Sequence, residues 1–372
     1  MVEVRVEDLN RTFSTPSGPE VAVDDIDLSI DYGEFFTLVG PSGCGKTTTL
    51  RCIAGLETPT SGQIYFDNAD VTDLSPQQRD IAMVFQSVTL FPHMTNYENI
   101  GYGLKVRDET EDYDDKIREI AEILEISDTL DKKPGQLSGG QQQRVSLGRA
   151  LVRDPNLVLF DEPLSDLDAK LKADLRVRIQ RLHKEFNTTM IYVTHNQEEA
   201  MTMSDRIAVL NDGHIEQVSE PEVLYQSPTN EFVGSFIGQP AMNTIDATVR
   251  DGKIVADEDR PLAHLPLEAT DRGLSDGAAI RLGFRPQQVD ITDDIERGFY
   301  TASLDVWEPV GEGYIVYLID EHDSELKVVA DDIPTSEQGA RIGLVDPETV
   351  YLFDPETGEK IYEHQPAVAP AQ

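Results

Sequence analysis

The segment GPSGCGKTTTL at 40–50 constrains the fold of this chain more strongly than any other. It fits the pattern GxxxxGK followed by Ser or Thr, and it lies between the apolar run FFTLV and a helical pattern. Glycines let the backbone turn sharply and direct successive N–H groups to one point, and the following helix adds the positive end of its dipole. We therefore predict a strand, a phosphate-binding loop and a helix. The predicted loop residues are Gly40, Pro41, Ser42, Gly43, Cys44, Gly45, Lys46, Thr47 and Thr48.

Two carboxylates follow a second apolar run, LVLF. Asp161 would end a buried strand, where its side chain can join the ligands of Mg²⁺, and Glu162 can polarise an attacking water. Lys46 would reach the β- and γ-phosphates of a nucleotide, and the Thr47 hydroxyl would also ligate Mg²⁺. His195, at the end of MIYVTH, could contact the γ-phosphate from a neighbouring strand. Together with the loop, these residues predict nucleotide hydrolysis.

A second glycine turn, SGGQ, also precedes a helical pattern and offers another set of helix N-terminal donors to phosphate. One nucleotide does not need two phosphate cradles from one chain. The economical explanation is a symmetric head-to-tail dimer in which each copy offers this turn to the nucleotide of its twin. The residues of the turn are Ser138, Gly139, Gly140 and Gln141.

Apolar runs that alternate with helical patterns predict an α/β fold with a mostly parallel sheet covered by helices. The runs are FFTLVG, IAMVFQ, NLVLFDEP, TMIYVTH and RIAVLNDG. VEVRVEDL and VAVDDIDLSI add an antiparallel part near the N-terminus, and a charged helical stretch at 108–133 predicts an inserted helical subdomain. Beyond about residue 240, short alternating segments separated by Gly, Asp-Gly and Pro predict a second, all-β domain.

The chain has 31 Lys and Arg against 69 Asp and Glu, a formal charge of −38. The acidic excess is spread out, with 21 basic and 41 acidic residues in 1–240 and 10 and 28 in 241–372. Such a surface suits a halophilic host, because molar salt screens its self-repulsion. It disfavours nucleic-acid binding, which needs a basic surface. The basic stretch 170–184 has apolar residues at helical spacing, so we expect its charges to form a solvated helix face.

Two further patterns concern location and redox chemistry. The apolar runs fall far short of the roughly 20 residues of a bilayer span, and the first residues do not resemble a secretory signal, so we expect a cytosolic protein. Cys44 and Cys52 do not have the spacing of a disulfide framework or a metal site, and we expect both to be small packing residues.

The motifs, in this order and spacing, resemble the ATPase subunit of an ATP-binding cassette (ABC) transporter over nearly the whole chain. The resemblance implies ATP and Mg²⁺ as ligands, with Phe13 stacking on adenine and Ser138 to Gln141 acting as the signature motif in trans. It implies that Gln86, in MVFQ, touches Mg²⁺ and water and senses the membrane partner. The implied catalytic residues are Glu162, His195 and Gln86, the magnesium ligands Thr47, Gln86 and Asp161, and the dimer signalling residues, in LSDLD, Ser165 and Asp168.

The closer resemblance is to the carbohydrate-importer branch of the maltose-transporter type, carried by TLFPHMTNYENI, VTHNQEEAMTMSDRIAVLNDGHIEQV and FIGQPAMN. It implies a nucleotide-binding domain over 1–238, with a helical subdomain at about 87–155, and a C-terminal OB-like β-barrel of the TOBE type over 239–366. Residues 367–372 would be a frayed tail.

The same resemblance implies the partners. They are two transmembrane permease subunits, an extracellular substrate-binding protein, and a second ATPase subunit that is either an identical copy or a paralogue. The protein would then be peripheral, on the cytoplasmic face of the cell membrane. An apolar segment after Gln86 is expected to form the groove for the permease helices, or else ordinary core. Its residues are Leu90, Phe91, Pro92, Met94 and Tyr97.

The sequence leaves the cargo open. A mono- or oligosaccharide, either pentose or hexose, is the first expectation, and a polyamine, glycerol phosphate or a metal complex are the alternatives. A soluble ABC ATPase that acts on nucleic acid or ribosomes is disfavoured, because the chain has one cassette and lacks a long coiled-coil insertion. The C-terminal domain could also serve as a platform for a cytosolic regulatory protein.

Overall fold

The computed structural model describes residues 1–106, 113–257, 260–264, 274–292, 300–311, 313–319, 323–333, 340–344 and 350–363. Contacts divide the chain into an N-terminal unit, Met1–Glu222, and a C-terminal unit, Val223–Gln372. The tail expected to fray, 367–372, lies outside the described residues. None of the helices in the described ranges has the length and apolar content needed to cross a bilayer.

Strands and helices alternate through the N-terminal unit. The strands are β1 Val4–Thr15, β2 Gly18–Ile30, β3 Phe35–Val39, β4 Ser61–Phe66, β5 Ala69–Asp70, β6 Ile81–Val84, β7 Leu157–Asp161, β8 Thr189–Thr194, β9 Arg206–Asn211 and β10 His214–Ser219. The helices are α1 Lys46–Ala54, α2 Pro76–Arg79, α3 Asn96–Val106, α4 Tyr113–Ile123, α5 Gly139–Leu151, α6 Ala169–Phe186 and α7 Gln197–Met203.

The main sheet has the strand order β10-β9-β3-β8-β7-β6. All neighbouring pairs in it are parallel except β10 with β9. Strands β3, β7 and β8 are buried at every position, which is typical of parallel strands covered on both faces. Each of the five predicted apolar runs forms a strand of this sheet, and the prediction of a mostly parallel α/β fold is confirmed.

Two hydrophobic cores flank the main sheet. One face of β3 places Phe35 in a core that includes residues of α3 to α6, and the other face places Phe36 and Leu38 in a core shared with α1 and the antiparallel strands. Those antiparallel strands form a sheet of order β2-β1-β4-β5, as the N-terminal pattern predicts. The loop between β3 and α1 is therefore fixed by packing on both sides of the strand that leads into it.

Helix α4 and the residues just after it present an apolar stripe to the first core, where Ile117, Ile120, Leu124 and Ile126 are buried. The expected solvated face of the basic stretch is present at Lys170, Arg181 and Lys184, which are exposed, but not at Arg178 on α6, which is 8% exposed. Its guanidinium donates to Glu125 at 2.6 Å and to Asp174 at 3.0 Å, and these carboxylates replace the water it would otherwise bind.

The C-terminal unit is rich in antiparallel strands. Its short helices are α8 Pro221–Gln226, which begins before the boundary, and α9 Glu231–Phe236. The strands are β11 Asn243–Arg250, β12 Lys253–Asp257, β13 Arg260–His264, β14 Ala279–Phe284, β15 Val289–Thr292, β16 Tyr300–Val310, β17 Gly313–Ile319, β18 Glu325–Ala330, β19 Ala340–Leu344, β20 Tyr351–Phe353 and β21 Lys360–Glu363.

These strands form sheets of order β13-β12-β11-β14-β20-β21 and β15-β19-β16-β17-β18. Alternate residues of β11, β17 and β18 point into one core, which explains the alternating pattern in the sequence. The prediction of a β-rich, OB-like C-terminal architecture is confirmed. The boundary between the units falls before residue 238, because Arg285 at the end of β14 binds the carbonyl oxygens of Tyr225, Gly234 and Ile237.

Candidate nucleotide-binding site

Most of the predicted site residues follow parallel strands that end at one edge of the main sheet. The phosphate loop follows β3, Asp161 ends β7, His195 follows β8, and Gln86 comes just after β6. Strands β3, β8, β7 and β6 are neighbours, and Asp161 lies beside Val193 in the register. Because the carboxyl ends of parallel strands share an edge, four motifs far apart in sequence converge at the place where open α/β sheets bind ligands.

Two glycines of the loop are required by close contacts with the backbone. Gly45 has φ +101°, and a Cβ there would lie 2.3 Å from the carbonyl oxygen of Ala22 on β2. A Cβ on Gly40 would lie 2.2 Å from the carbonyl oxygen of Leu210. The loop is therefore wedged between the antiparallel sheet and the end of β9, with Ser42 and Gly43 exposed at its outer edge.

Lys46 lies inside the loop and is 4% exposed. Its ammonium donates to the carbonyl oxygens of Gly40 at 2.9 Å and Pro41 at 2.7 Å. Cys44 is also buried, with its Sγ 3.6 Å from Nζ of Lys46. Cys52 is buried as well, and burial raises the pKa of its thiol to about 11. Both cysteines are free, as expected for packing residues.

Asp161 and Thr47 meet at the mouth of the loop. The Thr47 hydroxyl donates to Oδ1 of Asp161 at 3.0 Å, and Asp161 is 7% exposed. Burial raises the pKa of the Asp161 carboxyl, while the bond from Thr47 and the charge of Arg51 lower it and the charge of Glu162 raises it further. A hydroxyl and a carboxylate side by side are the hard oxygen donors that suit Mg²⁺.

The set of protein oxygen atoms available to a metal ion at this place is small. Among the described residues, no group of three or more His, Cys, Asp and Glu could hold a metal ion. Mg²⁺ characteristically binds through one or two carboxylates and completes its shell with phosphate oxygens and water. The pair Thr47 and Asp161 therefore fits a magnesium ion that arrives with a nucleotide, and it does not fit a resident metal cage.

Glu162 adopts a left-handed backbone conformation, with φ +45°. Its N–H donates to the carbonyl oxygen of Val193, which extends the pairing of β7 with β8 by one bond. This turn brings Oε2 of Glu162 to 3.0 Å from Nδ1 of His195, so the two predicted catalytic groups are in hydrogen-bond contact. The side chain of Glu162 is 21% exposed and that of His195 is 53% exposed, which leaves the pair accessible to water.

The turn that carries His195 rests on a buried carboxylate that the sequence did not single out. Glu199 is 3% exposed and accepts hydrogen bonds from the hydroxyls of Tyr192 and Thr194, both at 2.9 Å. The Thr194 hydroxyl accepts in turn from the N–H of Asn196, whose side chain caps α7. The signal available in the sequence was an acidic residue in the first turn of a short helix, which is too common to be selected.

Phe13 lies on β1, half-buried, with the Arg11 guanidinium 4.5 Å above its ring. Arg11 also pairs with Glu57 at 3.0 Å, and this contact was not predicted. The hairpin of β1 and β2 is joined to the phosphate loop through Gly213. The N–H of Gly213 donates to the carbonyl oxygen of Cys44, and its carbonyl oxygen accepts from the N–H of Asp24 on β2. Phe13 thus sits on an element that is fixed to the loop, and its contact with adenine stays a prediction.

Gln86 is exposed at its bend after β6. The segment that follows is held by Arg149 on α5, which donates to the carbonyl and hydroxyl oxygens of Thr89 at 2.7 and 3.0 Å. The Arg149 guanidinium also lies 5.8 Å from the ring centre of Phe91. Burial lowers the pKa of Arg149. The bend that carries Gln86 is therefore connected to the helix that begins at the second glycine turn.

Ser138 is the N-cap of α5. Its hydroxyl accepts from the N–H of Gln141 at 3.4 Å, and the Gln141 side chain accepts from the N–H of Ser138 at 3.1 Å. Ser138 and Gly139 are exposed, whereas Gly140 is buried against Leu171 on α6. The turn therefore presents its first residues to solvent.

The segment LSDLD connects Glu162 with α6. The Ser165 hydroxyl donates to the carbonyl oxygen of Glu162 at 3.0 Å, and Asp168 caps α6 by accepting from the N–H of Leu171 at 3.1 Å. A further residue that was not predicted, Gln143 on α5, donates from Nε2 to the carbonyl oxygen of Pro163 at 2.7 Å. The loop behind the predicted catalytic carboxylate is thus held from both neighbouring helices.

Comparison with known proteins decides the family. Residues 23–165 match the family model described as ABC transporter. The chain is 44% identical to the xylose/arabinose import ATP-binding protein XacJ of Haloferax volcanii, over 98% of this chain and 97% of that protein. This chain belongs to the ATP-binding subunits of ABC transporters. The resemblance drawn from the motifs is confirmed at the level of the family.

Other ABC proteins extend the comparison. The chain is 43% identical to the sn-glycerol-3-phosphate import ATP-binding protein UgpC of Ruegeria sp., over 98% of this chain and all of that protein. In structure it is similar to the ATP-binding cassette MJ0796, solved as a dimer in a post-hydrolysis state with ADP and phosphate. That match has a TM-score of 0.54 and 33% identity, and it covers 59% of this chain and 98% of that one.

Proposed function

We propose that this chain is the ATP-hydrolysing subunit of an ABC importer, with a carbohydrate as its first-choice cargo. The observation that carries the proposal is the convergence of Lys46, Asp161, Glu162 and His195 at one sheet edge, in a chain related over nearly its whole length to import ATP-binding proteins. The geometry supports hydrolysis, and the relatives support import.

The loop between β3 and α1 binds the phosphates of ATP in this proposal. Its backbone N–H groups and the N-terminus of α1 attract the phosphate oxygens, and Lys46 already lies within the loop, where its ammonium can exchange a carbonyl partner for a β- or γ-phosphate oxygen. Thr47, Asp161 and Gln86 would hold Mg²⁺. When bound, Mg²⁺ neutralises charge on the β- and γ-phosphates. Phe13 would stack on the adenine.

Glu162 is the general base in this proposal. One carboxylate oxygen takes the proton of the attacking water, while the other is held by His195 at 3.0 Å. His195 thereby orients the carboxylate and keeps its other ring nitrogen for the γ-phosphate. The left-handed turn at Glu162, fixed through Val193 and Ser165, aims the carboxylate away from the strand.

The second glycine turn serves the nucleotide of a twin chain. Ser138 and Gly139 are exposed at the N-terminus of α5, which suits donation to a phosphate from outside the chain. MJ0796, which was solved as a dimer with ADP and phosphate, supports dimer formation by this chain. Ser165 and Asp168 would lie at the dimer interface, and the twin is either an identical copy or a paralogue.

The permease subunits would dock in a cavity of about 460 Å³ that is lined by residues of α2, β6, α3 and α5. Its lining differs from the predicted groove, since Leu90 and Tyr97 pack against the first core. The lining includes Gln77, Met83, Tyr102, Val106, Arg149 and Arg153. Val106 is 67% exposed and Tyr102 38%, so an apolar partner helix would cover them. Docking there would place the chain on the cytoplasmic face of the membrane.

Two cargo classes have specific support. XacJ is named for import of xylose and arabinose, and UgpC for import of sn-glycerol 3-phosphate, at nearly equal identity. We rank carbohydrate first because the motifs outside the catalytic core resemble the sugar-importer branch, and glycerol phosphate second. A cytosolic regulator of the C-terminal unit stays a prediction.

Deletion of the gene and growth on single carbon sources test the proposal. We expect loss of growth on one sugar, with growth on amino acids unchanged, and rescue by the wild-type gene but not by Lys46→Ala. Loss confined to glycerol 3-phosphate would favour the second cargo class. Normal uptake of every sugar and of glycerol 3-phosphate by the deletion strain would contradict the proposal.

A further inference from the structure

Helix α5 reaches the catalytic loop through one buried side chain. Gln143 is 2% exposed, and its Nε2 donates to the carbonyl oxygen of Pro163 at 2.7 Å. Pro163 directly follows Glu162 in the chain. The bond therefore joins the helix that begins with the SGGQ turn to the backbone that carries the catalytic carboxylate.

Two further contacts join α5, the catalytic loop and α6 into one rigidly packed unit. Arg144, next to Gln143, donates to Asp174 on α6 at 2.5 Å. Gly140 packs so closely on α6 that a Cβ there would lie 2.3 Å from Cδ2 of Leu171. Helix α6 itself begins after Asp168, at the end of the segment that follows Pro163. A movement of the SGGQ turn must therefore be shared with the loop of Glu162, because interfaces packed at this density do not deform freely.

We propose that Gln143 is a positioning residue that couples the two nucleotide sites of the dimer. The inference rests on the proposed function, in which the SGGQ turn of a chain serves the ATP of its twin while Glu162 serves its own. Engagement of the turn by the twin's phosphates would shift α5, and the Gln143 bond would pass that shift to the carbonyl of Pro163 and so to Glu162. Each copy then reaches its hydrolytic geometry only after it has engaged the nucleotide of the other.

Gln143→Met tests the coupling, because methionine keeps the length and volume of the side chain and removes the donor. Gln142→Met is the matched control. Gln142 lies on the same helix and also donates to backbone carbonyls, of Pro134 at 3.1 Å and Leu137 at 3.3 Å, but it does not reach the catalytic loop. The readouts are the ATP dependence of steady-state hydrolysis, the affinity of dilute monomer for a fluorescent ATP analogue, and the melting temperature.

We expect Gln143→Met to lower kcat about tenfold, since one buried bond is lost at the loop, and to bring the Hill coefficient for ATP close to that of independent sites. Analogue affinity should stay within about twofold of wild type, because the phosphate loop is untouched. Gln142→Met should retain wild-type cooperativity.

Several outcomes would overturn the coupling. They are a Gln143→Met enzyme with unchanged kcat, one with lower kcat and unchanged cooperativity, and a wild-type enzyme that hydrolyses ATP without cooperativity. A wild-type chain that does not hydrolyse ATP at all would instead refute the proposed function. A drop in melting temperature with analogue affinity and cooperativity both preserved would assign Gln143 a purely structural role and also overturn the proposal.

Discussion

At the scale of residues, Glu162, the proposed general base, has a strained backbone conformation. A backbone conformation with φ +45° costs a glutamate roughly 1–3 kcal/mol relative to ordinary conformations. Such a conformation persists only where surrounding hydrogen bonds and packing fix it. Here the N–H is held by Val193 and the carbonyl by Ser165, so the conformation is fixed from both sides. The result is a carboxylate in contact with His195 at the edge of the sheet.

Replacing Glu162 by Gln should lower the turnover of ATP by about 10²- to 10⁴-fold, because the amide cannot accept the proton of water. ATP binding should survive, since Lys46 and Thr47 are unchanged, and an ATP-bound dimer should accumulate on size-exclusion chromatography. Glu198→Gln is the control, because Glu198 is 58% exposed and lies outside the site. Brisk turnover by Glu162→Gln would refute the assignment of the base.

Glu34, just before β3, gives a pH-dependent prediction. It is 7% exposed, and burial raises the pKa of its carboxyl, although the N–H of Asp31 and the charge of Arg206 act in the opposite direction. A carboxyl pKa that is higher in the folded than in the unfolded state means that folding favours the protonated form. Stability from this group is therefore present at low pH and is lost as the pH rises through the folded pKa.

Glu34→Gln mimics the protonated form at every pH. We expect this variant to melt above wild type at pH 7 and the difference to shrink as the pH falls through the raised pKa of Glu34. Thermal unfolding of both proteins at a series of pH values from 7 downward measures this difference in melting temperature. A variant that is less stable than wild type at pH 7 would show that the ion pair with Arg206 outweighs burial.

At the scale of elements, much of the site was readable from the sequence. Each apolar run gave a strand, and because parallel strands end at one edge, the motifs that follow them had to meet there. Gln143 and Arg178 were not predictable, because their roles depend on contacts with Pro163 and Glu125, which lie 20 and 53 residues away. Glu199 has local partners, but an acidic residue in the first turn of a short helix is too common to be selected. The groove for the permease helices stays a prediction, and how far Leu90 and Tyr97 are covered depends on how the helices of the first core pack.

Arg285 fixes the short helices α8 and α9 to the strands of the C-terminal unit, and it is 2% exposed. Arg285→Met should destabilise this unit by about 3 kcal/mol, because the buried carbonyl oxygens of Tyr225, Gly234 and Ile237 lose their donor. Urea unfolding followed by fluorescence of the chain's one tryptophan, Trp307 in this unit, measures the loss. Lys253→Met, at a partly exposed position of β12, should stay within about 0.5 kcal/mol of wild type, and equal stability of the two variants would contradict the role of Arg285.

At the scale of the whole molecule, the charge of −38 is the dominant feature. We propose a halophilic host, and the relative from Haloferax volcanii supports this. At low ionic strength the Debye length is tens of ångströms and the carboxylates repel one another across the surface, whereas in about 1 M salt it is about 3 Å and the repulsion is screened.

The melting temperature should therefore rise by many degrees between dilute buffer and about 2 M KCl, because the folded state concentrates the negative charge. NaCl should act like KCl if screening is the cause. A melting temperature that does not change with either salt would contradict a halophilic adaptation.

The central feature of the proposed dimer is the place where the twin chain meets the nucleotide. The most direct test is a high-resolution structure of Glu162→Gln with ATP and Mg²⁺. We predict two chains, each ATP lying between Lys46 of one copy and the Ser138 turn of the other. A nucleotide enclosed by one chain alone, with both glycine turns of that chain on the same phosphates, would contradict it.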